Sequence, residues 1–284
     1  MFHFHKSDAC WYVPDGVPII HALERTTHMC IAAHQDDIEI FAYHGISECY
    51  QEAKKWFTGV VLTDGAGSPR KGEYSAFSDS RMKKVRVQEQ NKAAELGGYS
   101  AQIQLGYSSQ DVKNPGVSNP VDDLVALLES AQPDLLYVHN PADKHDTHVA
   151  TLLRTLAAIQ QLPKSKRPRR LLAGEVWRGL DWLVESSVKV ALPTHRHPDL
   201  ASALLHVFDS QIIGGKRYDL ATIGRRSANA TYSESHQTDD VSQITWALDL
   251  SSLLAEENPN IEAFILAQVD ALKDDIKKRL RRLS

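Results

Sequence analysis

Four short apolar runs, each followed by a stretch of helical periodicity, constrain this chain more than any other feature. Residues 28–33 (HMCIAA), 57–63 (FTGVVLT), 101–105 (AQIQL) and 135–139 (LLYVH) read as buried strands. Residues 37–51 place Ile38, Phe41, Ala42 and Ile46 on one side of a helix. Residues 81–96 form a polar amphipathic helix closed by Gly97-Gly98. Residues 120–131 put Val121, Leu124, Leu127 and Leu128 on one face, and 147–160 is the next helix. Such alternation predicts a parallel sheet with helices on both faces. Right-handed crossovers then give an α/β, Rossmann-like three-layer α/β/α sandwich with a mostly parallel sheet.

After Pro163 the pattern changes. Residues 171–176 and 182–190 read as two strands joined at Arg178-Gly179, residues 200–213 as a helix, and 261–283 as a terminal helix. Residues 164–170 (KSKRPRR) read as a solvated loop, 65–80 as a long Gly-, Ser- and Pro-rich loop, and 214–229 as a Gly- and Arg-rich segment. Long loops in compact domains are often functional. No strong boundary is visible. One catalytic domain over 1–284 is expected, with a core of about 26–213 and a C-terminal extension of about 214–284 shaping the pocket.

Composition narrows the function. With 42% hydrophobic and 24% charged residues in 284, the chain can bury a sizeable core, which excludes disordered, collagen-like and coiled-coil readings. A net charge of -4 offers no basic field for a phosphate backbone, so nucleic acid is not an expected partner. No run nears the roughly 18 apolar residues of a membrane span. Residues 1–11 hold no apolar core of a signal peptide. Three cysteines without a CxxC pair read as free thiols, so a cytoplasmic location is expected. Histidine is abundant, at 13 residues.

Two clusters carry chemistry. Residues 33–39 (AHQDDIE) follow the first strand and open a helix, at the sheet edge where open α/β proteins bind ligands. Imidazole nitrogen and carboxylate oxygen both suit zinc. Taken alone, an Asp-Asp pair at a helix start is an ordinary N-cap. Residues 140–148 (NPADKHDTH) follow the fourth strand at the same edge, with His145 and His148 three apart near a helix start. Thr63-Asp64-Gly65, at the end of the second strand, gives a third strand-end signal. A catalytic zinc needs about three protein ligands and an open position. His34, Asp37 and His148 would supply them.

These residues resemble the PIG-L/LmbE family of zinc-dependent N-deacetylases. The resemblance rests on AHQDDIE for the family's A-H-P-D-D-x-E and on Thr63-Asp64-Gly65. It rests also on Arg86, Glu89, Ala93, Leu96 and Gly97 for R-x-x-E-x-x-x-A-x-x-L-G, and on His145 and His148 for H-x-D-H. It spans about residues 26–160 and implies an LmbE-like fold. Gln35 stands where the family has Pro, Thr147 where it has the Asp between the histidines, and Phe208 where a late H-x-S-Q signature has His. Asp146 or Asp143 are the candidates to replace that missing Asp.

The resemblance implies zinc, or another divalent metal, on His34, Asp37 and His148. It implies Asp36 as general base toward water and His145 as donor to the oxyanion. It implies Arg86 and Asp111 as substrate contacts. Read from spacing alone, Arg86 pairs with Glu89 and Asp111 caps a helix or turn. Glu39 reads as a neighbour of the site or as structural, and His139 as a supporting residue. Trp177 and Trp182 suit stacking on a sugar or the core. Lys216 and Arg217, with Arg225 and Arg226, suit an anionic group on a substrate or solvent. The expected activity is removal of an N-acetyl group from an N-acetylglucosamine-type or related amide. The alternatives are a zinc amidase on a non-sugar N-acyl conjugate and a catalytically weak zinc- or sugar-binding relative. The expected partner is a small molecule, with a homo-oligomer left open. A metallophosphoesterase would need a second ligand set, and a nicotinamide enzyme would need G-x-G-x-x-G after the first strand.

Overall fold

The computed structural model describes residues 3–184 and 188–284. Among them, β1 (Cys10–Tyr12), β2 (His28–Ala32), β3 (Phe57–Thr63), β4 (Ala101–Tyr107), β5 (Leu135–His139), β6 (Arg170–Gly174), β7 (Lys189–Pro193) and β8 (Ile244–Asp249) form one sheet. Its order is β1-β4-β3-β2-β5-β6-β8-β7. The five central strands, β4 to β6 in that order, are parallel, whereas β1, β8 and β7 each join their neighbour antiparallel. The helices are α1 (Ile19–Glu24), α2 (Asp37–Phe41), α3 (Tyr43–Cys49), α4 (Asp79–Gly97), α5 (Ser109–Lys113), α6 (Asn119–Ala131), α7 (Asp146–Gln161), α8 (Pro198–His206), α9 (Asp209–Ile212), α10 (Tyr218–Thr231) and α11 (Ile261–Leu283). None is long and apolar enough to cross a membrane.

Two cores form because the pleat sends alternate side chains to opposite faces. Met29 and Ile31 of β2 with Leu136 and Val138 of β5 pack under Leu124 and Leu128 of α6 and Leu152 of α7. Cys30 and Ala32 with Leu135 and Tyr137 face Ile38, Phe41, Ile46 and Leu204 from α2, α3 and α8. Helix ends follow local chemistry. Ser78 Oγ accepts from Arg81 N to start α4, and Gly98, at φ 59°, closes it.

The fold class matches the sequence expectation, and several elements depart from it. The helix expected over 37–51 divides at Ala42 into α2 and α3. That expected over 200–213 divides at Phe208 into α8 and α9. The strand expected over 182–190 is not formed at its start, where Leu183 N closes a turn onto Leu180 O. Pairing with β8 fixes the strand at Lys189–Pro193 instead, and residues 185–187 lie outside the described residues. The segment 218–231 is helical, and β1 and β8 were not anticipated.

One topological feature places the site. From β2 the chain builds outward through β3 to β4, then returns to lay β5 against the other side of β2. The segments leaving β2 and β5 diverge, and a crevice opens at their carboxyl ends.

Candidate metal centre and active site

The two segments that leave β2 and β5 carry the donors. His34 Nδ1 lies 3.1 Å from Asp37 Oδ2 and 3.1 Å from His148 Nε2, and His148 Nε2 lies 3.3 Å from Asp37 Oδ2. Ligands at about 2.0–2.1 Å around tetrahedral zinc stand about 3.3 Å apart, so these three atoms fit one face of such a site. Asp37 Oδ2 also accepts from His34 N at 2.8 Å, which folds the turn back on itself. Burial alone would raise the Asp37 carboxyl. His148 and His139 overcome that and hold it well below the carboxylate range.

Asp143 orients His148. Its Oδ2 accepts from His148 Nδ1 at 3.1 Å, and its Oδ1 accepts from His145 N at 3.1 Å. A carboxylate on the far nitrogen fixes the tautomer and leaves Nε2 free to ligate. Thr147 therefore costs His148 nothing, whereas the buried Nδ1 of His145 has no partner among the described residues. The His145 ring stacks on His148 at 4.6 Å and meets His34 edge-on at 5.0 Å. Burial, then the charges of His148 and His34, lower its pKa below the usual histidine range.

Two further groupings share atoms with this triangle: His34, His145 and His148, and Asp37, His139 and His148. Hydrogen bonding sets His139 aside. His139 Nε2 accepts from Ala33 N at 2.9 Å, so its lone pair is occupied, and its ring stacks on His148 at 3.9 Å. His139 buttresses the turn rather than offering a ligand.

Asp36 faces the cavity from a left-handed conformation, φ 86°. Its Oδ2 accepts from Arg86 Nη2 at 3.0 Å. Burial pushes its carboxyl up to about 7, with Arg86 opposing and Asp37 adding to the rise. Arg86 lines the same cavity but is 1% exposed, with Nη1 on Glu89 at 3.1 Å and Nη2 also on the Gln35 carbonyl. Its charge meets Asp36 and Glu89, as spacing allowed. Glu89 accepts in turn from Ser210 N and Oγ at 2.7 and 2.8 Å, so the Ser-Gln of α9 is tied through Arg86 to Asp36.

Gln35 donates to Thr63 O at 3.2 Å and Gln104 Oε1 at 3.1 Å, a tether that the family's Pro lacks. Gly65 closes the same corner. It has φ 70°, and a Cβ there would meet Gln35 Oε1 at 2.7 Å and Arg86 Cγ at 2.9 Å. Glu39 accepts from Tyr99 and Gln90 at 2.7 and 2.8 Å, and burial pushes it up to about 8.

Asp111 is placed differently from its implied role. It completes a capping box with Ser108 at the start of α5 and lies 3.7 Å from Lys6. The cavity wall takes Ser109 from that turn instead. The cavity holds about 320 Å³ and is also lined by Trp177, Gln211, Lys216 and Tyr218. Gln211 belongs to the Ser-Gln kept from the late signature, whereas Tyr218 was not singled out from the sequence, because a tyrosine in a Gly- and Arg-rich stretch gives no local signal.

The arrangement is a crevice with candidate metal ligands at the switch point of a mostly parallel α/β sheet. Residues 29–159 match the family model described as PIG-L, GlcNAc-PI de-N-acetylase. No curated protein sequence matches the chain. The fold is that of N,N'-diacetylchitobiose deacetylase from Pyrococcus horikoshii (17% identity, 82% of this chain and 87% of that one, TM-score 0.63). The zinc-inhibited form of teicoplanin deacetylase Orf2 is also similar (12%, 79% and 97%, TM-score 0.55). So is GalB, the 4-carboxy-2-hydroxymuconate hydratase of Pseudomonas putida KT2440 (15%, 79% and 96%, TM-score 0.60). A hydratase on this scaffold means that activity must be argued from the site.

Proposed function

We propose that the protein is a zinc-dependent hydrolase that removes an acetyl group from the nitrogen of an N-acetylglucosamine-type or related amide. The observation that carries this reading is the triangle of His34 Nδ1, His148 Nε2 and Asp37 Oδ2, with sides of 3.1, 3.1 and 3.3 Å, beside the separate carboxylate of Asp36. Zinc, when bound, supplies Lewis acidity toward an amide carbonyl and lowers the pKa of water toward about 7. Asp36 then takes the proton of the attacking water, and a carboxyl near about 7 suits that task at neutral pH. Its hydrogen bond to Arg86 aims one oxygen and leaves the other toward the cavity. His145, on the opposite wall, donates to the oxyanion, a contact worth roughly 3–4 kcal/mol. The proton held by Asp36 passes to the leaving amine. Arg86 holds Asp36, and its implied contact with substrate is through the cavity wall.

We read 1–284 as one catalytic domain whose C-terminal part shapes the pocket, because Lys216 and Tyr218 line the cavity and β8 lies within the sheet. The test is acetate release from N-acetylglucosamine compounds by the purified protein, with metal content measured before and after chelation. Bound zinc with chelator-sensitive release is expected. A protein that holds no divalent metal and frees no acetate refutes the reading.

A further inference from the structure

The basic segment that begins at Gly214 carries four cations, and the fold sorts them. Arg217 donates from Nε and Nη2 to the two carboxylate oxygens of Asp219, at 3.0 and 2.6 Å. Arg225 Nη1 donates to Val176 O at 2.5 Å. Arg226 lies buried under α2, with Nη2 on Glu39 O and Ile40 O at 2.8 and 3.1 Å. Lys216 remains. No carboxylate among the described residues pairs with it, and its Nζ stands 4.8 Å from the centroid of the Trp177 ring. Both side chains line the cavity that holds His34, Asp36 and Asp37.

The surroundings make this charge count. Two other cations near that wall are neutralised: Arg86 by Asp36 and Glu89, and Lys83 by Asp64 at 2.5 Å. Lys216 is also held in place. Its N donates to Gln211 O at 2.9 Å, and its carbonyl accepts from Tyr218 N at 2.7 Å. Gly214 has no room for a side chain, since a Cβ would stand 2.3 Å from Ser210 O. The Trp177 ring lies 6.4 Å from the His145 ring, within 21° of parallel, and 4.8 Å from the Lys216 ammonium. One pyranose ring with a single substituent covers that span. A half-buried ammonium without a counter-ion is a point charge suited to a carboxylate or phosphate.

We propose that Lys216 and Trp177 form a subsite for an anionic substituent, carboxylate or phosphate, one sugar ring away from the N-acyl group. The substrate is then an anionic N-acyl amino-sugar conjugate rather than a neutral sugar. Identifying the N-acyl end rests on the deacetylase reading; the anion subsite rests on Lys216 and Trp177.

Three matched compounds test it on the metal-loaded protein: methyl N-acetylglucosaminide (neutral), its 6-phosphate, and the corresponding methyl N-acetylglucosaminuronide (a carboxylate), whose anions stand across the ring from the N-acyl-bearing carbon. Acetate release gives kcat/KM for each. Calorimetry on the Asp36→Asn variant gives affinity without turnover. At least tenfold preference for one anionic compound over the neutral one is expected, and the better of the two identifies phosphate or carboxylate. Lys216→Met is expected to lower the anionic-to-neutral ratio about tenfold, and Lys216→Arg to restore part of it. Equal release from all three, with a ratio unmoved by Lys216→Met, overturns the subsite and leaves the deacetylase reading standing. Tighter anion binding that Lys216→Met removes, with no acetate freed from any compound, upholds the subsite and overturns the deacetylase reading.

Discussion

Asp36 and Asp37 are neighbours in sequence with opposite electrostatics. Asp37 sits among three imidazoles as an acid held ionised, while Asp36 turns away at φ 86° and is pushed up to about 7 by burial. Strain of this kind costs of order 1–3 kcal/mol and persists where the surroundings enforce it. Asp36→Asn is expected to lower kcat by about 10²–10⁴ with zinc content unchanged. Asp37→Asn is expected to lose zinc, and elemental analysis of the two proteins separates the roles. Asp36→Gly should abolish turnover while leaving the melting temperature within a few degrees, because glycine relieves the left-handed backbone. The donor residues were legible in sequence because two histidine–aspartate clusters follow two strands at one sheet edge. His139 was not identified as the residue that seats Ala33, because a histidine ending a buried strand looks like any core histidine. Asp143 stood only as a candidate, since nothing local says which carboxylate reaches His148 Nδ1.

Elements hold these residues through a few long-range ties. Asp143 joins the loop before α7 to His148, and Asp143→Asn is expected to weaken zinc affinity about 10–100-fold, measured by competition with a chromophoric chelator. A second prediction concerns His28 at the start of β2. Burial, then the charges of Lys55 and His44, lower it to about 4. The folded protein therefore resists protonating His28 while the unfolded chain accepts a proton near 6.5. Its contribution is intact above about pH 6.5 and is lost as pH falls toward 4. The urea midpoint should drop across that window, and His28→Asn should flatten the drop. Element boundaries were less legible than element types. Breaks at Ala42 and Phe208 sit inside continuous helical patterns, and tertiary contacts decide them. α9 turns away so that Ser210 reaches Glu89.

At the scale of the whole molecule, β8 shows why the far side of the sheet was hidden. It enters antiparallel between β6 and β7 from more than fifty residues downstream, a pairing that no local window contains. The central parallel strands, by contrast, declared themselves through runs of apolar residues. Because β8 is buried through Leu248, a chain ended at residue 240 is expected to fold poorly, exposing β6 and β7. A chain ended at Asp275 removes mostly exposed residues of α11 and should keep its melting temperature within about 2 °C. Thermal melts of the two truncations check this.

His34 and His148 meet across 114 residues, from two strand–helix units joined side by side through the β2–β5 pairing. An ion held between them is a cross-link over a long loop, formed only after the middle of the sheet has closed. On the proposed zinc reading, metal capture is a clock for folding. In a refolding reaction with cobalt, the visible absorption of the bound ion should appear no earlier than the burial of Tyr137, and single variants at His34 or His148 should erase the colour without slowing the strand pairing that precedes it.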